Sequence, residues 1–222
     1  REEKTNMWKI IYFDFDGPLV DSFWKHIEFC LRMAIKYGLM RPLPEISDLV
    51  GWRNLADFPM EKFLTNIGFS AEMAKMIHDD EYLAEFGNQR TPPPFYPGVP
   101  EMIGRLKEEG NRLGIVSLNN RVNILSALGQ MADCFDVILS ADEFPTKPPA
   151  LHLASALMGI NPERAVYVGD APHDYAAACA VKMPFIGVSY GWLIDGTETE
   201  FNSAASPEEL EWMLAFHESD NG

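Results

Sequence analysis

Short runs of consecutive apolar residues alternate with longer amphipathic stretches over most of this chain. Lys9–Phe13, Leu113–Ser117, Asp136–Ser140, Ala165–Gly169 and the weaker Pro184–Val188 are β-branched or aromatic runs that stop abruptly. Such runs predict buried strands. Helical spacing fills Val99–Glu109, Arg121–Met131, Pro149–Met158 and Pro172–Val181. Strands alternating with helices of this length predict an α/β fold, a doubly wound parallel sheet covered on both faces. In such sheets ligands sit beyond the carboxyl ends of the strands. The polar residues of this sequence fall there.

The alternation breaks between Val20 and about Thr91. This stretch shows helical periodicity in Phe23–Tyr37, Asn54–Ile67 and Ala71–Phe86 but no strand pattern, and the stiff segment Thr91–Gly98 closes it. The expected organisation is an α/β core from residues 1–19 and 92–222, with residues 20–91 as a small α-helical cap domain. From Asp195 onward the chain is polar with one short helical pattern, Pro207–Phe216, to which no chemistry is assigned.

Of 222 residues, 47% are hydrophobic and 23% charged, a globular balance that excludes a disordered, collagenous or coiled-coil chain. Lysine and arginine total 18 against 33 acidic residues, a net charge of −15. That surface repels phosphate backbones and anionic lipid, so no nucleic-acid partner and no membrane are expected. Cys30, Cys134 and Cys179 form no CxxC pair and read as buried small hydrophobes of a reduced protein. No apolar run approaches the roughly 20 residues of a membrane span, and Arg1–Asn6 lack an apolar signal core. A cytoplasmic location follows as the expectation; a monomer and a homodimer are both compatible with the sequence.

The candidate chemistry begins at Asp14-Phe-Asp16-Gly17, directly after the first strand. Alone, it reads equally as a polar turn. A second acidic pair follows another strand, in Gly169-Asp170-Ala-Pro-His-Asp174, and Asp170 and Asp174 are one helical turn apart. If both strands are central, up to four carboxylates converge, and hard oxygen ligands in that number suit Mg²⁺. Ser117 ends its strand with Asn119-Asn120 next, where a hydroxyl and free helix N-terminal N–H groups can seat a phosphate. A strand-end serine is most often only a cap. Lys147 stands in Pro145-Thr-Lys-Pro-Pro149, where the prolines fix the backbone that carries it. Asp21 and Ser22 read as caps of the first insert helix. The five histidines lack zinc-ligand spacing, and His173 reads as an exposed loop imidazole.

In this order, Asp-x-Asp-Gly, a strand-end Ser, Lys-Pro and Gly-Asp-x-x-x-Asp resemble the haloacid dehalogenase superfamily, specifically its phosphoglycolate phosphatase-like branch with a helical cap after the first motif. Leu19-Val-Asp-Ser22, Tyr96-Pro-Gly-Val99 and Val168-Gly-Asp170 add to the likeness, which spans Ile10 to Val188. The resemblance implies a Mg²⁺-dependent phosphatase acting on a small phosphorylated substrate. Asp14 is then the nucleophile and Asp16 the general acid/base. Asp14, the Asp16 backbone carbonyl and Asp170 hold Mg²⁺, and Asp174 orients or completes that shell. Ser117, Asn119 and Lys147 bind the phosphate. Arg53, in Gly51-Trp-Arg-Asn54 ahead of an insert helix, is a candidate contact to a second anionic group of the substrate. Pro18 departs from the family's usual Thr and removes a hydroxyl and an N–H from the loop. A sugar phosphomutase and a non-catalytic phosphate-binding protein are the alternative readings. A mutase needs a water-excluding, sugar-gripping cap, of which Arg53 is the sole sign. A binding protein is expected to lack one of the key groups, and none is missing.

Overall fold

The computed structural model describes residues 10–87 and 91–216. Lys9, Arg1–Asn6 and His217 lie outside them. Contacts divide the chain into two compact units, Arg1–Asp21 with Pro93–Gly222, and Ser22–Pro92.

The first unit is built on β1 (Ile10–Phe13), β2 (Arg112–Val116), β3 (Val137–Leu139), β4 (Ala165–Gly169), β5 (Phe185–Val188) and β6 (Asn202–Ala204). All neighbours are parallel, in the order β3-β2-β1-β4-β5-β6. The chain steps outward from β1 to β3, then restarts on the other side with β4, so β1 and β4 flank the point where the winding reverses. Their register sets Phe13 opposite Val168. The residues that follow each strand therefore meet at this crevice.

Period-two alternation divides the apolar residues between two faces. Ile11, Phe13, Leu113, Ile115, Val166, Val168, Ile186 and Val188 pack with the unit's helices at Val99–Glu108 and Pro207–Phe216. Ile10, Tyr12, Val116, Ala165, Tyr167 and Phe185 pack with those at Lys147–Leu157 and Pro172–Ala180. Both β1 and β4 are buried at every position, as expected of parallel strands covered on both sides. Gly114 of β2 is required by close approach: a Cβ there would lie 2.6 Å from the Tyr12 ring and 2.8 Å from Val137 Cγ1.

The second unit is helical: α1 (Phe23–Lys36), α2 (Leu49–Leu55), α3 (Met60–Ile67) and α4 (Ala71–Ile77), which runs through a π turn at His78–Tyr82 into α5 (Leu83–Phe86). The first unit's helices are then α6 (Val99–Glu108), α7 (Arg121–Leu128), α8 (Lys147–Leu157), α9 (Pro172–Ala180) and α10 (Pro207–Phe216). The single helix expected over Asn54–Ile67 is two. Pro59 offers no N–H and disfavours helical Phe58 before it, so the chain breaks there and α3 starts after Pro59. Gly51–Asn54 accordingly lies inside α2. The helix expected to reach Met131 stops at Leu128, where Gly129 takes a positive φ, and continues as a 3₁₀ turn. Ser22 stands at the N-cap of α1 without a side-chain capping bond. β6 is a strand the apolar pattern did not signal. Cys30 is buried, Cys134 half-buried and Cys179 exposed, all three with free thiols; Cys179 faces outward on α9, whose Ala177 and Ala178 point inward. No described helix is long and apolar enough to cross a membrane.

His26 is buried in the second unit, stacked on Phe86 at 4.7 Å and edge-on to Phe58 at 5.3 Å. Burial, reinforced by the Lys25 charge, pushes its imidazole down to about 3. The unfolded chain takes up this proton near 6.5, the folded chain only near 3, so stability is lost as pH falls between them, by roughly 1.4 kcal/mol per pH unit at most. In urea unfolding the His26→Phe variant is expected to show a shallower loss over that window than the wild type; equal slopes would exclude the effect. Gly114→Val is expected to cost about 1–3 kcal/mol by overpacking Tyr12 and Val137, and an unchanged urea midpoint would contradict that packing account.

Candidate active site

Each candidate in the first unit follows a strand or begins a helix. Asp14 follows β1, its own N–H continuing the ladder to Val168 O at 2.8 Å. Its Oδ1 accepts from the Phe15 N–H at 2.8 Å and its Oδ2 from Lys147 Nζ at 2.7 Å, so the carboxylate is held in one orientation. Lys147 is the first residue of α8, two residues earlier than the sequence pattern suggested, and Pro148 and Pro149 occupy first-turn positions whose N–H groups a helix leaves unused. The prolines thus set the backbone from which the lysine side chain turns inward.

Asp170 and Asp174 flank the start of α9. Asp174 Oδ2 accepts the Asp170 and Ala171 N–H groups, both at 3.2 Å, while its Oδ1 accepts from Lys147 Nζ. An acidic residue in a first helical turn that reaches back to the backbone is a common cap; here the same group also binds the lysine. Asp170 Oδ2 accepts the Trp192 N–H at 2.6 Å, and its carbonyl oxygen accepts the Leu193 and Ile194 N–H groups at 3.1 and 2.8 Å.

Oxygens of Asp14, Asp170 and Asp174 lie within 4.8 Å of one another, and all three residues are buried. Two like charges at such a spacing repel by roughly 3–4 kcal/mol at an effective dielectric constant of about 20. Burial pushes the Asp170 carboxyl well above the ordinary carboxylate range, and the Asp174 and Asp14 charges push the same way. Burial also raises Asp14, with Asp174 adding to it and Lys147 and a Ser117 hydrogen bond opposing. Burial alone would lower Lys147, but Asp14 and Asp174 more than offset that and raise it. With all three ionised, the carboxylates would leave two negative charges uncompensated by the one ammonium. Hard oxygen donors with that excess fit a divalent cation.

The fourth carboxylate, Asp16, is not in this group: its Oδ2 accepts from Asn119 Nδ2 at 2.7 Å. Gly17 next to it has φ +94°, and a Cβ would fall 2.1 Å from the Asp170 carboxyl, so glycine is needed for both conformation and space. Ser117 is buried and its hydroxyl also accepts the Asn119 N–H at 3.2 Å. The Asn119 side chain turns to Asp16. Arg53 lies on α2 in the second unit. The exposed His173 imidazole is 3.8 Å from Asp174 Oδ1. A second cluster of titratable side chains, Glu61, His78 and Asp79, is more exposed, and Lys75 Nζ donates to Asp79 Oδ2 at 2.6 Å.

Sequence reasoning did not single out the segment after β5. The Tyr190 hydroxyl donates to Pro18 O at 3.0 Å, bracing the turn where Pro18 carries no hydroxyl, and Trp192 grips Asp170 through its backbone. The signal was present: Ser189-Tyr-Gly-Trp192 follows a strand on the side where the other polar residues fall.

Comparison with known proteins finds relatives in sequence and in fold. Residues 11–188 match the model of the haloacid dehalogenase-like hydrolase family. Phosphoglycolate phosphatase from Escherichia coli K12 is 30% identical over 208 residues, covering 82% of this chain and 81% of that protein. Its counterpart from Caulobacter vibrioides is 29% identical over 200 residues, covering 85% and 82%. A haloacid dehalogenase-like family protein from Streptococcus pneumoniae shares the fold with a TM-score of 0.71 at 20% identity, over 92% of this chain and 97% of that one. CbbY from Rhodobacter sphaeroides, solved with phosphate, gives 0.64 at 19% identity over 92% and 96%. The chain belongs to the haloacid dehalogenase-like hydrolase family, in its phosphoglycolate phosphatase-like branch, and is an enzyme of the phosphatase kind.

Proposed function

We propose that this phosphatase hydrolyses a small phosphomonoester with Mg²⁺, through a phosphoryl-aspartyl intermediate on Asp14. The observation that supports it most is the Lys147 ammonium lying between buried Asp14 and Asp174, beside Asp170. An anionic nucleophile can approach an anionic ester only where positive charge offsets the repulsion. Asp14, Asp170 and the Asp16 backbone carbonyl would hold Mg²⁺, and Asp174 would orient that shell or complete it. When bound, Mg²⁺ supplies the charge that these carboxylates and the phosphate otherwise lack.

Asp14, oriented by the Phe15 N–H and Lys147, attacks phosphorus; the new O–P bond forms as the ester P–O bond breaks. Asp16 gives its proton to the departing alkoxide, then takes one from the water that attacks the aspartyl-phosphate. Phosphate leaves and Asp14 is restored. Ser117, Lys147 and the backbone around Asn119 bind the transferring oxygens. The helical insert serves as the cap, and Arg53 meets a second anionic group, as a phosphorylated carboxylic acid carries. The relatives named for phosphoglycolate make that compound the first substrate to try.

Purified protein is expected to release phosphate from phosphoglycolate or an aryl phosphate with Mg²⁺ and to stop on chelation. Asp14→Asn is expected to lower turnover by a factor on the order of a thousand or more, and rapid-quench mass spectrometry to find a phosphoryl group on Asp14 in the wild type. Wild-type turnover in Asp14→Asn would refute the covalent route.

A further inference from the structure

Tyr167 is buried in the middle of β4, and the proposed reaction gives it no task. Its hydroxyl donates to Val116 O of β2 at 2.8 Å, reaching it beneath β1 on the face covered by α8 and α9. The strand ladder explains why a side chain is needed there. Ser117 N–H donates to Leu139 O of β3 at 3.1 Å, and a trans peptide points its carbonyl the opposite way, so Val116 O faces β1. The register that pairs Phe13 with Ile115, continued past the strand end, would bring the Phe15 N–H to Val116 O. Phe15 N–H instead donates to Asp14 Oδ1 at 2.8 Å. A buried carbonyl left without a donor is costly. The Tyr167 hydroxyl supplies that donor. Asp174 also lies within reach of this hydroxyl, but its two oxygens already accept Lys147 Nζ and the Asp170 and Ala171 N–H groups. The Tyr167 ring centre is 5.8 Å from Lys147 Nζ, so the same side chain also faces the ammonium.

We infer that Tyr167 is a positioning residue for Asp14: by donating to Val116 O, it releases the Phe15 N–H from the strand ladder to hold Asp14 Oδ1. This rests on the reading of Asp14 as the nucleophile. The released N–H and Lys147 hold the two carboxylate oxygens from different sides. A nucleophile already aligned with the bond that breaks reacts faster than one that must first be oriented. Without the Tyr167 hydroxyl, the Phe15 N–H and Val116 O are left as partners at the strand end. Their bond would extend the ladder by one step, and Asp14 would lose its support at Oδ1.

Tyr167→Phe removes the hydroxyl and keeps the ring. In the metal-free protein, NMR couplings transmitted through hydrogen bonds, from the Phe15 amide nitrogen to the carbon bearing its acceptor, identify that acceptor directly. The wild type is expected to couple to Asp14 Cγ, and Tyr167→Phe to the Val116 carbonyl carbon. With Mg²⁺, kcat/KM for p-nitrophenyl phosphate is expected to fall in the variant by on the order of tenfold, within what a misplaced reacting group can cost. A hydroxyl that only stabilises the fold would lower the urea midpoint and leave both readings at their wild-type values. Tyr12→Phe, which removes a buried hydroxyl from the same layer on β1, is the control and is expected to change neither. An unchanged kcat/KM, a variant whose Phe15 amide stays on Asp14, or an equal fall in Tyr12→Phe would overturn the inference. Should Tyr167→Phe not fold, the wild type still decides: a Phe15 coupling to Asp14 supports the released N–H, and one to Val116 overturns it. Asp14→Asn separates this role from the reading beneath it. Wild-type turnover in Asp14→Asn removes the nucleophile and the positioning role together. A large loss there with none in Tyr167→Phe removes the positioning role alone.

Discussion

The site depends on one electrostatic constraint: three carboxylates gathered where water cannot solvate them, with a single ammonium among them. Asp14, Asp170 and Asp174 are buried with Lys147, which is 4% exposed. Isolated, each charge in such surroundings is strongly disfavoured. Lys147 lowers the cost by bonding Asp14 and Asp174 together, and the backbone N–H groups of Phe15, Asp170, Ala171 and Trp192 share the remainder. The balance stays negative with all three ionised, and a divalent cation would offset that excess before an anionic phosphoryl group could approach.

The fold delivers these groups because the winding of the sheet reverses between β1 and β4. Asp14 and Asp170 each come directly after one of the two adjacent strands, and the Phe13–Val168 register places them side by side. Ser117 follows β2 on the other side of β1, and Lys147 begins the helix after β3. The tight turn at Gly17 and the segment after β5 then press against Asp170 from two directions.

Much of this was legible in the residue pattern, because β1 and β4 are fully buried runs, β2 is buried after Arg112, and the ends of all three coincide with abrupt polarity. The sequence features that failed had physical reasons. The break at Pro59 was hidden by apolar residues on both sides at helical spacing, so periodicity outweighed one imino acid. β6 is three small or polar residues at the edge of the sheet, with little apolar surface to announce it. Convergence of four carboxylates was expected from spacing alone, but spacing says nothing about where a side chain turns, and Asp16 turns to Asn119. Cys179 follows two inward alanines on a helix, so apolar neighbours in sequence did not imply burial. The roles of Tyr190 and Trp192 depend on contacts across about 170 and 20 residues that no local pattern encodes.

Calorimetric unfolding of the wild type and Asp170→Asn, with and without Mg²⁺, probes the charge balance without reference to turnover. At a hundredfold excess over its Kd, Mg²⁺ should stabilise the wild type by about 2.7 kcal/mol, raising Tm by roughly 5–10 °C. The metal-free variant, relieved of one crowded charge, should unfold no earlier than the metal-free wild type and should respond little to Mg²⁺. A wild-type Tm indifferent to Mg²⁺ at every concentration, or a variant that gains from it as much as the wild type, would contradict the account.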